Sequence, residues 1–286
     1  YLYAAAVRKG TAFRLRWNPG LAFPVFARGG PLLFHVLLGL VIYNSDLIFL
    51  RVLRDRAEVG YYAAAYALIS FAANLAMAYS MSLLPTLSRL RSGAYAGEER
   101  ELVGGATARA LALTLAFAAG GTLVAPQIIA LGFGAEYAAS ASVLQILLWS
   151  VPFSTLKLIP WVGLIAHEQG HRATGPMAWA VVVNLVLNTL LVPRFGVTGA
   201  AVATVATEIA CWAMMYHQAV SAGVAPMAVR RIWKPLTAAA CMAGVLLIMP
   251  DLHLFAGIGV GALSFAAALA VLRGIHWRRG MPSLDL

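Results

Sequence analysis

Three ionisable residues stand inside long apolar runs of this chain: Asp46, Lys157 and Glu208. A charge at mid-bilayer costs about 2.5–3.5 kcal/mol on insertion scales. It persists where it faces a cavity, meets an opposite charge or reaches the surface. Asp46 lies in Asn44-Ser45-Asp46, and His35 precedes it by three helical turns, so His35, Gly39, Ile42 and Asp46 form one stripe. On a cavity, such a stripe would respond to protons or ions; the alternative is a structural pair of Asp46 with an arginine such as Arg51. Lys157 shares a helix face with Ser150, Ser154 and Trp161. A cation beside hydroxyls and an indole suits a phosphate or a sugar; the alternative is a lysine that snorkels to the interface. Glu208 shares a face with Thr204 and Cys211, and Asn184 shares one with Asn188. The asparagines read as hydrogen-bonding glue between helices. Glu208 is open between that role, a ligand role and neutralisation of Lys157. Asn74 with Ser70, and Gln145, are weaker cases of the same kind.

Enzyme chemistry finds no footing in these residues. The sequence has no phosphate-binding glycine loop with lysine, no metal-spaced His/Cys cluster and no Gly-x-Ser-x-Gly elbow. His167-Glu168-x-x-His171 matches neither zinc-protease spacing and sits beside Gly170, so it reads as a solvated loop. The expectation is a non-enzyme without cofactor or metal.

The elements that position these residues follow from hydropathy. Hydrophobic residues make up 61% of the 286, and only 11% are charged, against about 25% in ordinary soluble domains. That argues against a water-soluble protein. Eight apolar segments are predicted as spanning helices, near 30–52, 60–84, 106–130, 138–165, 174–193, 196–218, 232–250 and 252–273. Pro152 and Pro160 should kink the fourth. The second, fifth, sixth and eighth are rich in Ala and Gly, which lets helices approach closely. Residues 8–28 form a basic, aromatic link broken at Asn18-Pro19-Gly20, either interfacial or solvated. Cys211 and Cys241 fall in apolar blocks and should be free thiols. The chain opens on Tyr1, and Tyr1–Val7 reads as the tail of an apolar helix, so a C-terminal fragment or truncated reading frame is expected.

The net charge of +10 does not point to nucleic acid, because the basic residues sit in short links. On alternate sides, one set of links holds sixteen Lys and Arg, from Arg8 through Arg89, Arg172 and Arg230 to Arg279; the other holds Arg51, Arg54, Arg56 and Arg194. The first set is therefore expected in the cytoplasm, with both chain ends inside.

A family resemblance rests on scattered strings in order. Asn44-Ser45-Asp46, Val59-Gly60-Tyr61-Tyr62 with Ala64-Ala65, and Pro85 are the first. Gly132-Phe133-Gly134-Ala135-Glu136-Tyr137 and Gln145-Ile146-Leu147 follow. The last is Asn188 with Pro193-Arg194-Phe195-Gly196-Val197-Thr198-Gly199-Ala200-Ala201, then Ala203-Thr204 and Thr207-Glu208. Together they resemble the Wzx-type lipid-linked oligosaccharide flippases, the polysaccharide-biosynthesis branch of the multidrug/oligosaccharidyl-lipid/polysaccharide exporter superfamily. The resemblance runs from about residue 30 to 218. It implies an all-α, polytopic helix bundle and the C-terminal lobe of a two-lobed exporter. Residues 1–29 would be the end of a preceding helix with a basic link, 30–218 a six-helix transport lobe, and 219–286 two trailing helices and a tail. It further implies alternating-access transfer of an undecaprenyl-diphosphate-linked glycan across the bacterial inner membrane. Implied partners are membrane lipid, the missing N-terminal lobe, a polysaccharide polymerase and glycosyltransferases. On that reading Lys157, Ser154, Trp161 and Asn44 face substrate, and Asp46, His35 and Glu208 serve coupling or gating. The competing reading within the superfamily is a multidrug or peptidoglycan-precursor exporter. A membrane-embedded transferase would need an acid/base set near a loop, and Asp46 and Glu208 stand in different helices. A purely structural membrane partner fits the buried charges less well.

Overall fold

The computed structural model describes residues 19–90, 96–225, 232–249, 252–272, 275–278 and 281–284. Its helices are α1 (Pro19–Leu53), α2 (Arg56–Ser82), α3 (Leu84–Leu90), α4 (Ala96–Phe133), α5 (Ser140–Leu147), α6 (Ser150–Ala166), α7 (Thr174–Ser221), α8 (Trp233–Ile248) and α9 (Leu254–Val271). Short 3-10 turns, Ala135–Tyr137 and Gly170–Ala173, precede α5 and α7. Each of the eight apolar segments read from the sequence falls on helix. The expected link over residues 8–28 is partly helix, since α1 begins at Pro19. Proline suits the first turn of a helix, where its missing N–H leaves no bond unmade. Residues 1–18 lie outside the described residues. A small antiparallel hairpin, β1 (Ile275–Arg278) with β2 (Met281–Leu284), departs from the all-helical expectation at the end of the chain.

Among the described residues, six helical stretches are long and apolar enough to cross a membrane by length and composition. One of these, Gly170–Ser221, is folded back on itself. Gly196 breaks α7 with φ 56° and ψ −134°. Asn188 and Thr204, about 24 Å apart along a straight helix, bond the same carboxylate at 2.7 and 2.6 Å. Met177 and Ala180 likewise pack with Cys211. A Cβ at Gly199 would run into the Leu191 carbonyl, and one at Gly196 into the Glu58 carboxylate. The halves of α7 are thus the fifth and sixth apolar segments. The turn frees the carbonyls of Val192 and Pro193, and Arg54 donates to both at 3.0 Å. On the same corner Asp55 caps α2 by accepting the Glu58 N–H at 2.9 Å. Trp233–Ile248 adds a shorter apolar helix.

The kink expected at Pro152 appears as a break just before it. Leu148 cannot receive an N–H from Pro152, and its carbonyl takes the Val151 N–H at 3.2 Å instead. Pro160 stays inside α6. Two apolar clusters fill the two ends of the bundle, one around Tyr62, Leu50 and Leu147, the other around Leu87, Ile159 and Met215. A third joins α8 and α9 to α4 and α6 through Leu111, Leu156, Met242 and Phe265. Cys211 is buried and Cys241 exposed, both free.

Candidate functional site

Asp46 is enclosed, 1% exposed. Its Oδ2 accepts from the Tyr62 hydroxyl at 2.7 Å and the Thr204 hydroxyl at 2.6 Å. Its Oδ1 accepts from the Asn188 amide at 2.7 Å and the Asn184 amide at 3.3 Å. Ser45 donates to the Asn184 Oδ1 at 2.5 Å and so orients that amide. The donors come from α2 and from both halves of α7, so the hairpin turn at Gly196 is what assembles them. A buried charge needs compensation, and hydrogen bonds to a charged group contribute about 1.5–3 kcal/mol each. Asp46 forms no ion pair among the described residues. The alternative of a lock with Arg51 is therefore not formed: Arg51 is exposed near Arg54 and Asp55.

The expected cavity-facing stripe of α1 divides. Gly39 and Ile42 line a cavity of about 410 Å³. Asp46 and His35 do not, because α7 and α6 cover that flank of α1. His35 stacks on Trp161, with ring centres 5.2 Å apart, and its Nδ1 lies 3.3 Å from the Ala173 carbonyl. Three turns separate it from Asp46, so the two share no contact.

Lys157 and Glu208 meet at the cavity wall, with Nζ 2.8 Å from Oε1 and 2.6 Å from Oε2. Each side chain is 14% exposed. The α2 wall is formed by Tyr66, Ser70 and Asn74, and α1 adds Tyr43. Ser154 lines the cavity while its hydroxyl donates to the Val151 carbonyl at 3.0 Å. Ser150 is buried and donates to Leu147. Trp161, turned onto His35, leaves the cavity wall; an indole this large finds more contact beneath α1 than on a polar surface. Asn44 also stands off the cavity, exposed, donating to the Leu40 carbonyl of its own helix at 2.8 Å.

Sequence reasoning missed the tyrosines. Tyr62 stacks on Tyr66 at 5.6 Å, and Tyr66 meets Tyr43 edge-on at 5.2 Å. The signal was present as Tyr62 and Tyr66 four apart, one helix turn. It also missed Glu99. This residue is 5% exposed in the first turn of α4; its carboxylate lies 2.9 Å from His167 Nε2 and accepts the Ala225 N–H at 3.4 Å. The reading of His167 as part of a solvated loop is corrected: it closes α6 against α4 and the end of α7. Glu168 and His171 of the same string are exposed. Among the described residues no group of three His, Cys, Asp or Glu is placed to hold a metal.

Chemically, the arrangement holds two different sites. The Asp46 pocket surrounds one carboxylate, 1% exposed, with two hydroxyl and two amide donors. The Lys157–Glu208 wall offers charged and aromatic groups to a molecule in the cavity.

No family model matches the chain. A curated relative, the probable low-salt glycan biosynthesis flippase Agl15 of Haloferax volcanii, is 24% identical over 159 residues, 56% of this chain and 34% of that protein. The alignment thus spans about a third of that relative. Among solved structures, the lipid II flippase MurJ in an inward closed conformation superposes with a TM-score of 0.72 at 15% identity, over 95% of this chain and 59% of that one. A MOP superfamily transporter from Pyrococcus furiosus gives 0.60 at 14% identity, over 86% of this chain and 64% of that one. A multidrug resistance MATE family transporter gives 0.54 at 14% identity, with the same shares of 86% and 64%. The chain therefore resembles a glycan-biosynthesis flippase in sequence, and it shares its fold, a multi-pass membrane helix bundle, with MurJ and with the two transporters of the MOP superfamily.

Proposed function

We propose that this chain is part of a flippase that moves an undecaprenyl-diphosphate-linked oligosaccharide across the bacterial inner membrane by alternating access. The observation that carries the reading is the cavity of about 410 Å³ between α1, α2 and α6, walled by tyrosines and the Lys157–Glu208 pair. Its polar and aromatic lining suits sugar hydroxyls and ring faces. Lys157 contacts the anionic headgroup, which must draw it from Glu208. Ser154 lies beside it. Asp46 takes part in coupling rather than in substrate contact, since nothing in the cavity touches it.

The bias of the basic links supports a topology with both ends in the cytoplasm. Arg54 bonding to Val192 and Pro193 supports this, because the two links that hold the four arginines of the less basic set then meet at one end of the bundle, and Glu99, His167 and Ala225 meet at the other. The similarity to MurJ favours a second reading, export of a peptidoglycan precursor on the same fold.

The test is genetic and biochemical. The full-length gene should relieve cytoplasmic build-up of the lipid-linked glycan in a strain lacking its flippase. Rescue of a lipid II flippase deletion instead would establish the second reading. Drug resistance without either would overturn both. Neighbouring glycosyltransferase and polymerase genes would support the glycan reading at little effort.

A further inference from the structure

Lys157 and Glu208 compensate each other across the cavity wall. Nζ lies 2.8 Å from Oε1 and 2.6 Å from Oε2, and both side chains line the cavity. Among the described residues Glu208 accepts a hydrogen bond from Lys157 alone. The hydroxyls nearby are engaged. Thr204, one turn earlier on the same face of α7, donates to Asp46 at 2.6 Å. Ser154 donates to the Val151 carbonyl at 3.0 Å, and Ser70 to the Tyr66 carbonyl at 2.8 Å. The Tyr66 ring is fixed by Tyr62 at 5.6 Å and by Tyr43 at 5.2 Å. Asn74 on α2 also lines the cavity, and its side-chain amide forms no hydrogen bond among the described residues.

We infer, resting on the function proposed above, that the Lys157–Glu208 pair selects a glycosylated lipid diphosphate over the bare lipid carrier: Lys157 takes a phosphate, and Glu208 takes a hydroxyl or amide N–H of the adjoining sugar. An anionic headgroup draws Lys157 from its partner. Glu208, 14% exposed, is then left without a donor, and a half-broken buried pair is strongly unfavourable. An ionised bare diphosphate offers only acceptors. Its terminal phosphate also carries one more negative charge than a glycosylated one, so it repels Glu208. A pyranose on that phosphate removes the extra charge and brings hydroxyls to the same place; an N-acetylated one adds an amide N–H. These donors replace the ammonium, and both members of the pair end compensated. Any pyranose supplies such hydroxyls, so the selection is for the presence of a sugar. A site built to bond a substrate's donors rejects the analogue that lacks them more strongly than an apolar pocket does. Asn74 and the rings of Tyr43 and Tyr66 are placed to hold the rest of the sugar. The cavity of about 410 Å³ lies within the usual range of small-molecule sites.

The test compares two lipids on the full-length transporter in detergent: undecaprenyl diphosphate, and undecaprenyl diphosphate carrying one N-acetylglucosamine. Equilibrium binding of each is measured by thermophoresis. The parent protein should bind the glycosylated lipid about tenfold more tightly, the effect of one unsatisfied buried group. Glu208→Gln should bind the bare lipid about threefold more tightly than the parent does, because no charge is stranded, and the ratio between the two lipids should fall below about threefold. A damaged fold does not produce a gain of affinity. Should Glu208→Gln fail to fold with Lys157 unpaired, the combined Lys157→Gln and Glu208→Gln variant decides. It replaces the ion pair with two amides that bond each other, and its ratio should likewise fall below about threefold. A tenfold ratio that survives in whichever variant folds overturns the inference, since the sugar would then be read elsewhere on the wall. Equal binding of both lipids by the parent also overturns it and leaves the flippase function standing. Binding of neither lipid overturns that function and the selectivity together.

Discussion

Asp46 and the Lys157–Glu208 pair are both ionisable groups buried within apolar helices, and the same half of α7 serves both. They are stabilised in opposite ways. Asp46 is held by neutral dipoles from Tyr62, Thr204, Asn184 and Asn188. Lys157 is held by an opposite charge at 2.6 Å. A carboxylate among dipoles changes its charge without stranding a partner. An ion pair in the same surroundings cannot, because losing one member leaves the other uncompensated. The first arrangement suits a switch. The second suits a contact that a charged ligand must displace.

The largest effect expected from this contrast lies in the ion pair. Lys157→Ala or Glu208→Ala alone should destabilise the protein by about 3–5 kcal/mol, read as a lowered thermal midpoint in detergent. The combined Lys157→Met and Glu208→Leu variant should recover most of that stability. If the double variant folds but does not export, Lys157 touches the headgroup; normal export would make the pair structural. Equal damage in single and double variants would break the comparison.

Removing a dipole from Asp46 should cost less. Tyr62→Phe should destabilise by about 1.5–3 kcal/mol, the loss of one bond to a charged acceptor. Asp46→Asn keeps the shape and the Oδ1 acceptor of the Asn184 and Asn188 amides, and puts an NH2 group in place of Oδ2, from which the Tyr62 and Thr204 hydroxyls can accept after turning. It should give a folded, inserted protein whose export is lost or no longer varies with pH. Poor expression or insertion of Asp46→Asn would show Asp46 to be a structural lock instead. Normal export with unchanged pH dependence would remove Asp46 from coupling.

The turn that assembles the Asp46 donors offers a subtler probe. Gly196→Ala forces a side chain into a positive φ and against the Glu58 carboxylate, a strain of about 1–3 kcal/mol. Export should fall further than stability suggests, since Asn188 and Thr204 move apart.

The smallest effect belongs to the third buried acid. His167→Gln retains a donor for Glu99 and should cost less than about 1 kcal/mol. A larger drop in thermal midpoint would show that the charge on His167, rather than its hydrogen bond, holds the ends of α6 and α4 together.

Much of the fold was legible because hydropathy is a local property. Each of the eight apolar segments falls on helix, and Pro193, Arg194 and Gly196 marked the reversal within α7. The stripe on α1 was read on the right flank, but what covers that flank was not legible. Helix periodicity says which residues share a face and is silent on the helix opposite. For that reason Asp46 was expected on a cavity with His35, and Trp161 beside Lys157, whereas His35 and Trp161 pair with each other. Glu99 escaped notice because an acid in a first turn is ordinary at a helix N-terminus.

The sequence alone determined that this chain is a helical membrane bundle, and that Asp46, Lys157 and Glu208 lie within its apolar runs. Apolar runs must leave water, and charged residues inside them are few enough to name. Only the tertiary structure decided how each charge is compensated. Asp46 is bonded across 158 positions to Thr204, Lys157 across 51 to Glu208, and Glu99 across 68 to His167. Such partners are chosen by which helices pack together and in what register, and that choice minimises buried charge over the whole bundle rather than along any one segment.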